Sequence, residues 1–249
     1  MPTDPAAVQR YLDVDFDRRG MEELVSALAD RPADAPFAYV VTPNVDHVIR
    51  LHGEGRDERL AEAYAHALAR PCDSRILARL AALEGIRLAV APGSDLTARL
   101  LATVRPGDRI AIIGGDGETA GQVAPLVPGA EIVQHVPPMG LRTNKAALAE
   151  AAAFVAAAKA RFVFLAVGCP QQEYLALEIA RRGDATGLGL CIGASIDFLT
   201  GRARRAPRWM QRAGLEWSYR LLSEPRRLWR RYLVEGPRIF RIAWRARRG

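Results

Sequence analysis

Glycines, amides and carboxylates in a few short segments are the groups of this chain that could do chemistry. Segment 114–120, Gly-Gly-Asp-Gly-Glu-Thr-Ala, follows an apolar run and opens a helical pattern. Glycines let a backbone approach a phosphate closely, and free N–H groups at a helix start attract anions. Read literally, Gly115-x-Gly117-x-x-Ala120 matches a dinucleotide fingerprint, which also requires an acid at the end of the next strand. That strand ends His135-Val136-Pro137, with no acid. The motif therefore points away from a nicotinamide-dependent oxidoreductase and toward a nucleoside diphosphate, with a plain strand–helix turn as the alternative. A second segment, Gly168-Cys169-Pro170-Gln171-Gln172-Glu173, closes the most apolar run and opens a helix with proline in its first turn. Gln171, Gln172 and Glu173 are hydrogen-bonding groups where an α/β sheet binds ligands; ordinary helix capping is the alternative.

Other constellations are weaker. Asp13, Asp15 and Asp17 spell a doubled Asp-x-Asp, a pattern that can hold a divalent cation against a diphosphate. It precedes any nucleotide loop, and Asp17 sits near the start of a helix from Gly20. The histidines His47, His52, His66 and His135 lack metal-like spacing apart from the loose pair His47 and His52. No Gly-x-Ser-x-Gly or His-Glu-x-x-His is present. The expected chemistry uses carboxylates and arginines, with no metal, cofactor or covalent nucleophile.

Short apolar runs alternating with helical segments must position these groups. Strands are expected at 37–41, 86–90, 109–113, 131–136, 161–167 and 187–192. Helices are expected at 57–69, after Ser94 or Asp95, at 144–158 and at 170–181. Such alternation specifies an α/β parallel sheet covered by helices on both faces. After Gly201 the strands stop. Segments 206–213, 216–223 and 225–247 read as helices, the last kinked at Pro237. The expected division is an α/β domain over 1–200 and a basic helical C-terminal appendage over 201–249.

That appendage holds 15 arginines, three acids and all four tryptophans of the chain, a net charge of +12 against +7 for the whole. The body is therefore acidic. On the last helix Leu228, Trp229, Tyr232, Leu233, Ile239, Phe240, Ala243 and Trp244 share one face, and Arg227, Arg230, Arg231, Arg238, Arg241 and Arg245 the other. A basic amphipathic helix with tryptophans on its apolar side fits an anionic membrane surface. A helix packed on its own domain is the alternative, and nucleic acid fits less well. No apolar run approaches the ~18 residues of a membrane span. The N-terminus has no basic or apolar region of a signal peptide, and Cys72, Cys169 and Cys191 read as reduced thiols. These features predict a cytoplasmic protein, peripheral on the inner face of the cell membrane.

Four segments, in order, resemble the WecG/TagA/CpsF family of bacterial glycosyltransferases: TPNVDHV, GGDGETA, VGCPQQEYL and the long stretch 193–233 beginning GASIDFLTGRARR. The likeness spans roughly residues 10 to 240 and implies a Rossmann-like fold over 1–200 with a C-terminal helical appendage near the membrane. It implies a nucleotide-diphospho-sugar donor, usually a UDP-sugar, and a polyprenyl-diphosphate-linked sugar acceptor. It also implies work at the cytoplasmic membrane face on teichoic acid linkage units, enterobacterial common antigen or exopolysaccharide repeats. Inversion at the anomeric carbon without an obligatory metal is implied as well. Carried over by motif, Thr42 and Asn44 line the active site, and Gly114, Gly115 and Gly117 lie near the donor diphosphate. Gln172 and Glu173 lie beside the nucleotide, and Asp197 matches the aspartate of the Gly-Ala-x-x-Asp-Phe-Leu segment.

The family's general base is an aspartate, usually followed by glycine, some thirty residues after Thr-Pro-Asn. Asp73, followed by Ser74, is the match, with Asp95 in reserve. Where members often carry an arginine before Gly-x-Asp, this chain has Val90-Ala91-Pro92-Gly93, leaving Arg87 or a tail arginine to substitute. Arg204, Arg205 and Arg208 are the tail arginines expected to steady the leaving UDP. The expected function is thus inverting transfer from a UDP-sugar to the lipid-linked acceptor. The competing reading is a non-enzymatic basic module that binds RNA or a membrane. Self-association is compatible with either.

Overall fold

A computed structural model describes residues 7–52 and 55–247. A hairpin of β1 (Val8–Tyr11) and β2 (Val14–Asp17) leads into α1 (Met21–Ala29) and β3 (Ala38–Val40). Four helices follow: α2 (Val45–Arg50), α3 (Glu58–His66), α4 (Arg75–Ala82) and α5 (Gly93–Leu101). Then come β4 (Arg109–Gly114), α6 (Thr119–Val123), β5 (Glu131–His135), α7 (Lys145–Ala158), β6 (Phe162–Ala166), α8 (Gln171–Arg182), β7 (Leu188–Cys191) and α9 (Ser195–Leu199). The chain closes with α10 (Arg208–Ala213), α11 (Glu216–Ser223), α12 (Pro225–Trp229), a π-helical turn over Arg230–Glu235, and α13 (Arg238–Ala246).

The five longer-range strands form a parallel sheet in the order β3-β7-β6-β4-β5. Strand β4 pairs on one side with β5 and on the other with β6, so the winding reverses there. Successive residues of each central strand feed opposite cores, as the two-residue period demands. Ile110, Ile112, Phe162 and Phe164 pack with α1 and α5. Ala111, Ile113, Val163 and Leu165 pack with α3, α7 and α8. Both faces are dry, which is why these strands are continuous apolar runs. The fold is the expected Rossmann-like α/β sheet with helices on both faces and a C-terminal helical segment.

Three local expectations change. Segment 86–90 is extended but pairs only through one bridge, Val90 with Cys72. Its backbone serves the 72–73 loop instead, with the Ala91 amide donating to the Cys72 carbonyl at 2.9 Å. Helix α5 starts directly after Pro92, and neither Ser94 nor Asp95 caps it. The long last helix is two, separated by the π turn. The Gly236 amide bonds the Arg231 carbonyl at 2.8 Å, and Pro237 has no amide to continue the ladder.

That break rotates the apolar face and divides it. Leu228, Ile239 and Ala243 turn inward and are buried against the body, whereas Trp229, Leu233, Phe240 and Trp244 remain about half exposed. The packed helix and the solvent-facing aromatic surface read from sequence therefore coexist on one segment. Among the described residues no helix is long and apolar enough to cross a membrane.

Candidate active site

The carboxyl ends of β3, β6 and β7 open onto a cleft of about 950 Å³. Its far wall comes from α4 and from the helices after residue 208. Three segments distant in sequence meet in it through Thr42 and Asn44, Asp73, and Gln172. Each is placed by a local requirement of the backbone.

Asn44 caps α2, its Oδ1 accepting from the amides of Asp46 at 3.1 Å and His47 at 3.4 Å. Its side-chain amide is then left to donate to the Asp73 carboxylate. Asp73 is pinned from the other side by the Gly93 amide at 2.8 Å, and its own amide bonds the Pro43 carbonyl at 3.0 Å. Gly93 leaves no room for a side chain, because a Cβ there would stand 2.9 Å from Thr42 Oγ1. Ser74 caps α4, with Oγ accepting from the Leu77 amide at 3.2 Å, in an extended conformation open to any residue. The serine in place of glycine thus costs this loop nothing. Burial pushes the Asp73 carboxyl up to about 7, and the Gly93 and Asn44 hydrogen bonds hold back part of that rise. A carboxyl poised near neutrality is suited to general-base work.

Gln172 ties two strand ends together. Its Oε1 accepts from the Gly193 amide at 2.8 Å, and its Nε2 donates to Glu173 Oε1 at 2.9 Å. Glu173 lies beneath the cleft floor with 0% exposure, and burial raises its carboxyl to about 7. His47 is buried beside it, and desolvation lowers its imidazole to about 4.

The remaining expected residues fall elsewhere. Gly114, Gly115 and Gly117 stand at the end of β4 and do not line this cleft. Gly115 is closed over by Thr119, whose Oγ1 would lie 2.3 Å from a Cβ. Arg202 reaches across to Asp116 at 2.7 Å and Glu118 at 3.2 Å; its hydrogen bond pulls the Asp116 carboxyl down to about 2. Asp95 is ion-paired with Arg205 outside the cleft lining. Arg204 and Arg208 are exposed and also lie outside it. The Asp-x-Asp carboxylates are taken by arginines: Asp13 and Asp15 by Arg10, and Asp17 by Arg19. Asp197 lies in the first turn of α9, and its carbonyl accepts from the Ala203 amide at 2.9 Å.

The arginines that do line the cleft were not the ones expected. Arg50, Arg75 and Arg79 come from the body, and Arg220, Arg227 and Arg231 from the appendage. Arg231 and Arg50 share the Asp46 carboxylate, at 3.5 Å and 3.1 Å. Burial drives that carboxyl up, but the two guanidiniums outweigh it and the net displacement is downward. Val90 lines the wall at the point where an arginine was expected, and Arg220 lines the same cleft.

A doubly wound sheet whose strand ends hold a near-neutral carboxylate beneath an arginine rim is the build of a group-transfer enzyme for phosphorylated substrates. Residues 9–249 match the model of the glycosyl transferase WecG/TagA/CpsF family, and the chain belongs to that family. Membership makes it a glycosyltransferase of cell-surface polysaccharide synthesis.

Proposed function

We propose that the protein transfers a sugar, with inversion, from a UDP-sugar to a polyprenyl-diphosphate-linked sugar at the cytoplasmic face of the membrane. The donor sugar is of the N-acetylmannosamine, N-acetylmannosaminuronic acid or glucuronic acid type. One observation carries the reading: Thr42, Asn44, Asp73 and Gln172 converge on a single arginine-rimmed cleft. Asp73 takes the proton of the acceptor hydroxyl as that oxygen bonds to the anomeric carbon. The bond from that carbon to the UDP oxygen breaks on the opposite face, and its electrons leave on the β-phosphate. Arg220, Arg227 and Arg231 neutralise the charge that develops there. Thr42 and Asn44 orient the sugar, and Gln172 holds the floor.

In this reading, segment 201–249 is the membrane-proximal unit. Trp209, Leu222, Trp229 and Phe240 present apolar surface to solvent among exposed arginines, and each arginine near anionic lipid adds ~1 kcal/mol. Deleting the tail would uncover the packing of Ile239 and Ala243 and is a poor test. Trp209→Ser with Trp229→Ser and Phe240→Ser leaves that packing in place. The triple variant is expected to lose flotation with anionic vesicles while remaining folded; undiminished flotation ends the membrane assignment.

The donor assignment is tested by calorimetric titration of the full-length protein with UDP, with NAD as control. Binding of UDP alone is expected. A folded protein that binds no UDP would overturn the donor class.

A further inference from the structure

Beneath the cleft floor His47, Cys169 and Glu173 converge, each offering a ligand atom within 4.8 Å of the other two. Both His47 Nδ1 and Glu173 Oε2 are shut off from solvent and lack a hydrogen-bond partner. Bare polar atoms in a dry site are costly and uncommon. They belong to two of the three clustered side chains, which makes a shared occupant the economical explanation. We propose that His47, Cys169 and Glu173 form a binding site for a zinc-class divalent metal ion, beyond the sugar-transfer reading and independent of it.

The donor set is chemically coherent. One imidazole, one thiolate and one carboxylate suit zinc, and three protein ligands leave a fourth position open. His47 and Cys169 also line the cleft. Thiolate and carboxylate together balance the ion's two charges, so the pocket gains no net charge.

The surrounding shell orients the ligands as metal sites require. The His47 ring is hydrogen-bonded to the Thr42 backbone, which leaves the lone pair on Nδ1. Gln172 Nε2 holds Glu173 Oε1 at 2.9 Å, which leaves Oε2 for the ion. Ligands of a tetrahedral zinc stand roughly 3.4–3.8 Å apart, so closure asks for about 1 Å of side-chain movement.

The test uses Co²⁺ as a spectroscopic probe of the purified, full-length protein, together with its zinc content after dialysis. One metal per chain is expected, with a thiolate-to-cobalt charge-transfer band and tetrahedral ligand-field absorption. Cys169→Ser should abolish the charge-transfer band, whereas Cys72→Ser and Cys191→Ser should keep it. Gln172→Ala should weaken Co²⁺ about 10–100-fold by releasing the carboxylate. Circular dichroism of each variant separates lost ligation from lost folding, and His47→Gln supplies a second ligand deletion if Cys169→Ser misfolds. Folded wild-type protein that takes up no Co²⁺ overturns the site, leaving the three side chains as a metal-free cluster. A charge-transfer band that survives Cys169→Ser overturns it equally. Neither result bears on UDP binding, so this proposal and the sugar-transfer reading fail separately.

Discussion

Two glycine-bearing turns leave neighbouring strands of the sheet, and they treat their polar groups in opposite ways. The turn after β4 satisfies itself. Gln134 Nε2 donates to the carbonyls of Gly114 at 2.9 Å and Asp116 at 2.7 Å, and its Oε1 accepts from the Ala120 amide at 3.1 Å. Thr119 Oγ1 takes the Asp116 amide at 2.9 Å, and Arg202 covers the two acids. The turn after β6 is incompletely satisfied: Glu173 Oε2 and, packed against it, His47 Nδ1 have no partner, and Gly168, Cys169 and Gln172 border the cleft. A glycine motif at a strand's carboxyl end thus marks where a ligand can lie. Whether a ligand is needed there is decided by which hydrogen bonds the turn has already made.

The contrast is broken most severely at the base. Asp73→Asn is expected to lower the transfer rate about 10²–10⁴-fold, the usual worth of a general base. UDP affinity should stay within about threefold, because no phosphate contact is removed. Full activity in this variant removes Asp73 from the role. The pH profile sharpens the same point. With its carboxyl raised to about 7 by burial, Asp73 is the active anion only above that pH. The wild-type rate should therefore climb about tenfold per pH unit below 7 and level off above it, and the residual rate of Asp73→Asn should not. For stability the sign is opposite. A carboxyl with a raised folded pKa binds its proton more tightly when folded. Its contribution is full below about pH 4 and is lost as pH rises through about 7. Melting curves at pH 5 and pH 8 should differ less in Asp73→Asn than in wild type.

A paired substitution compares the turns directly. Gln172→Ala frees the Gly193 amide and the Glu173 carboxylate, and Gln134→Ala frees two carbonyls and an amide. Leaving such groups unsatisfied costs about 1–3 kcal/mol where they are buried, so both variants should melt earlier. Only Gln172→Ala should also slow sugar transfer. Equal loss of transfer in the two would put the β4 turn in the site after all.

The sequence was legible where a local rule governed the outcome. Runs such as 109–113 and 161–167 read as strands because both faces of the sheet are dry and every side chain can be apolar. Asn144 was readable as a helix start, and it caps α7 through the Ala147 amide at 3.0 Å. Asp73 was reached only through family resemblance. Its flanks, Pro71-Cys72 and 86–90, are irregular segments joined by one bridge, which leaves no periodic signal. Arg220, Arg227 and Arg231 could not be told from the other tail arginines, because which of them face the cleft depends on how the helices after residue 208 pack on the body. The cluster of His47, Cys169 and Glu173 is assembled from α2, the turn after β6 and the first turn of α8, so histidine spacing could not reveal it.

Gly117 offers the smallest effect and the sharpest discrimination. Nothing lies within 4 Å of a Cβ built there, and its backbone is not left-handed, so alanine fits without strain. Replacing a glycine in a conformation open to alanine stabilises by about 0.4–1 kcal/mol through the unfolded chain. Gly117→Ala should therefore melt at the same temperature or slightly higher. If the donor diphosphate sits under the cleft's arginines, UDP affinity should change less than about twofold, since the added methyl meets only solvent. If the phosphates instead press against the β4 turn, the methyl occupies their place and should cost tenfold or more in UDP affinity. Calorimetry on this folded variant thus locates the diphosphate without disturbing a single hydrogen bond of the protein.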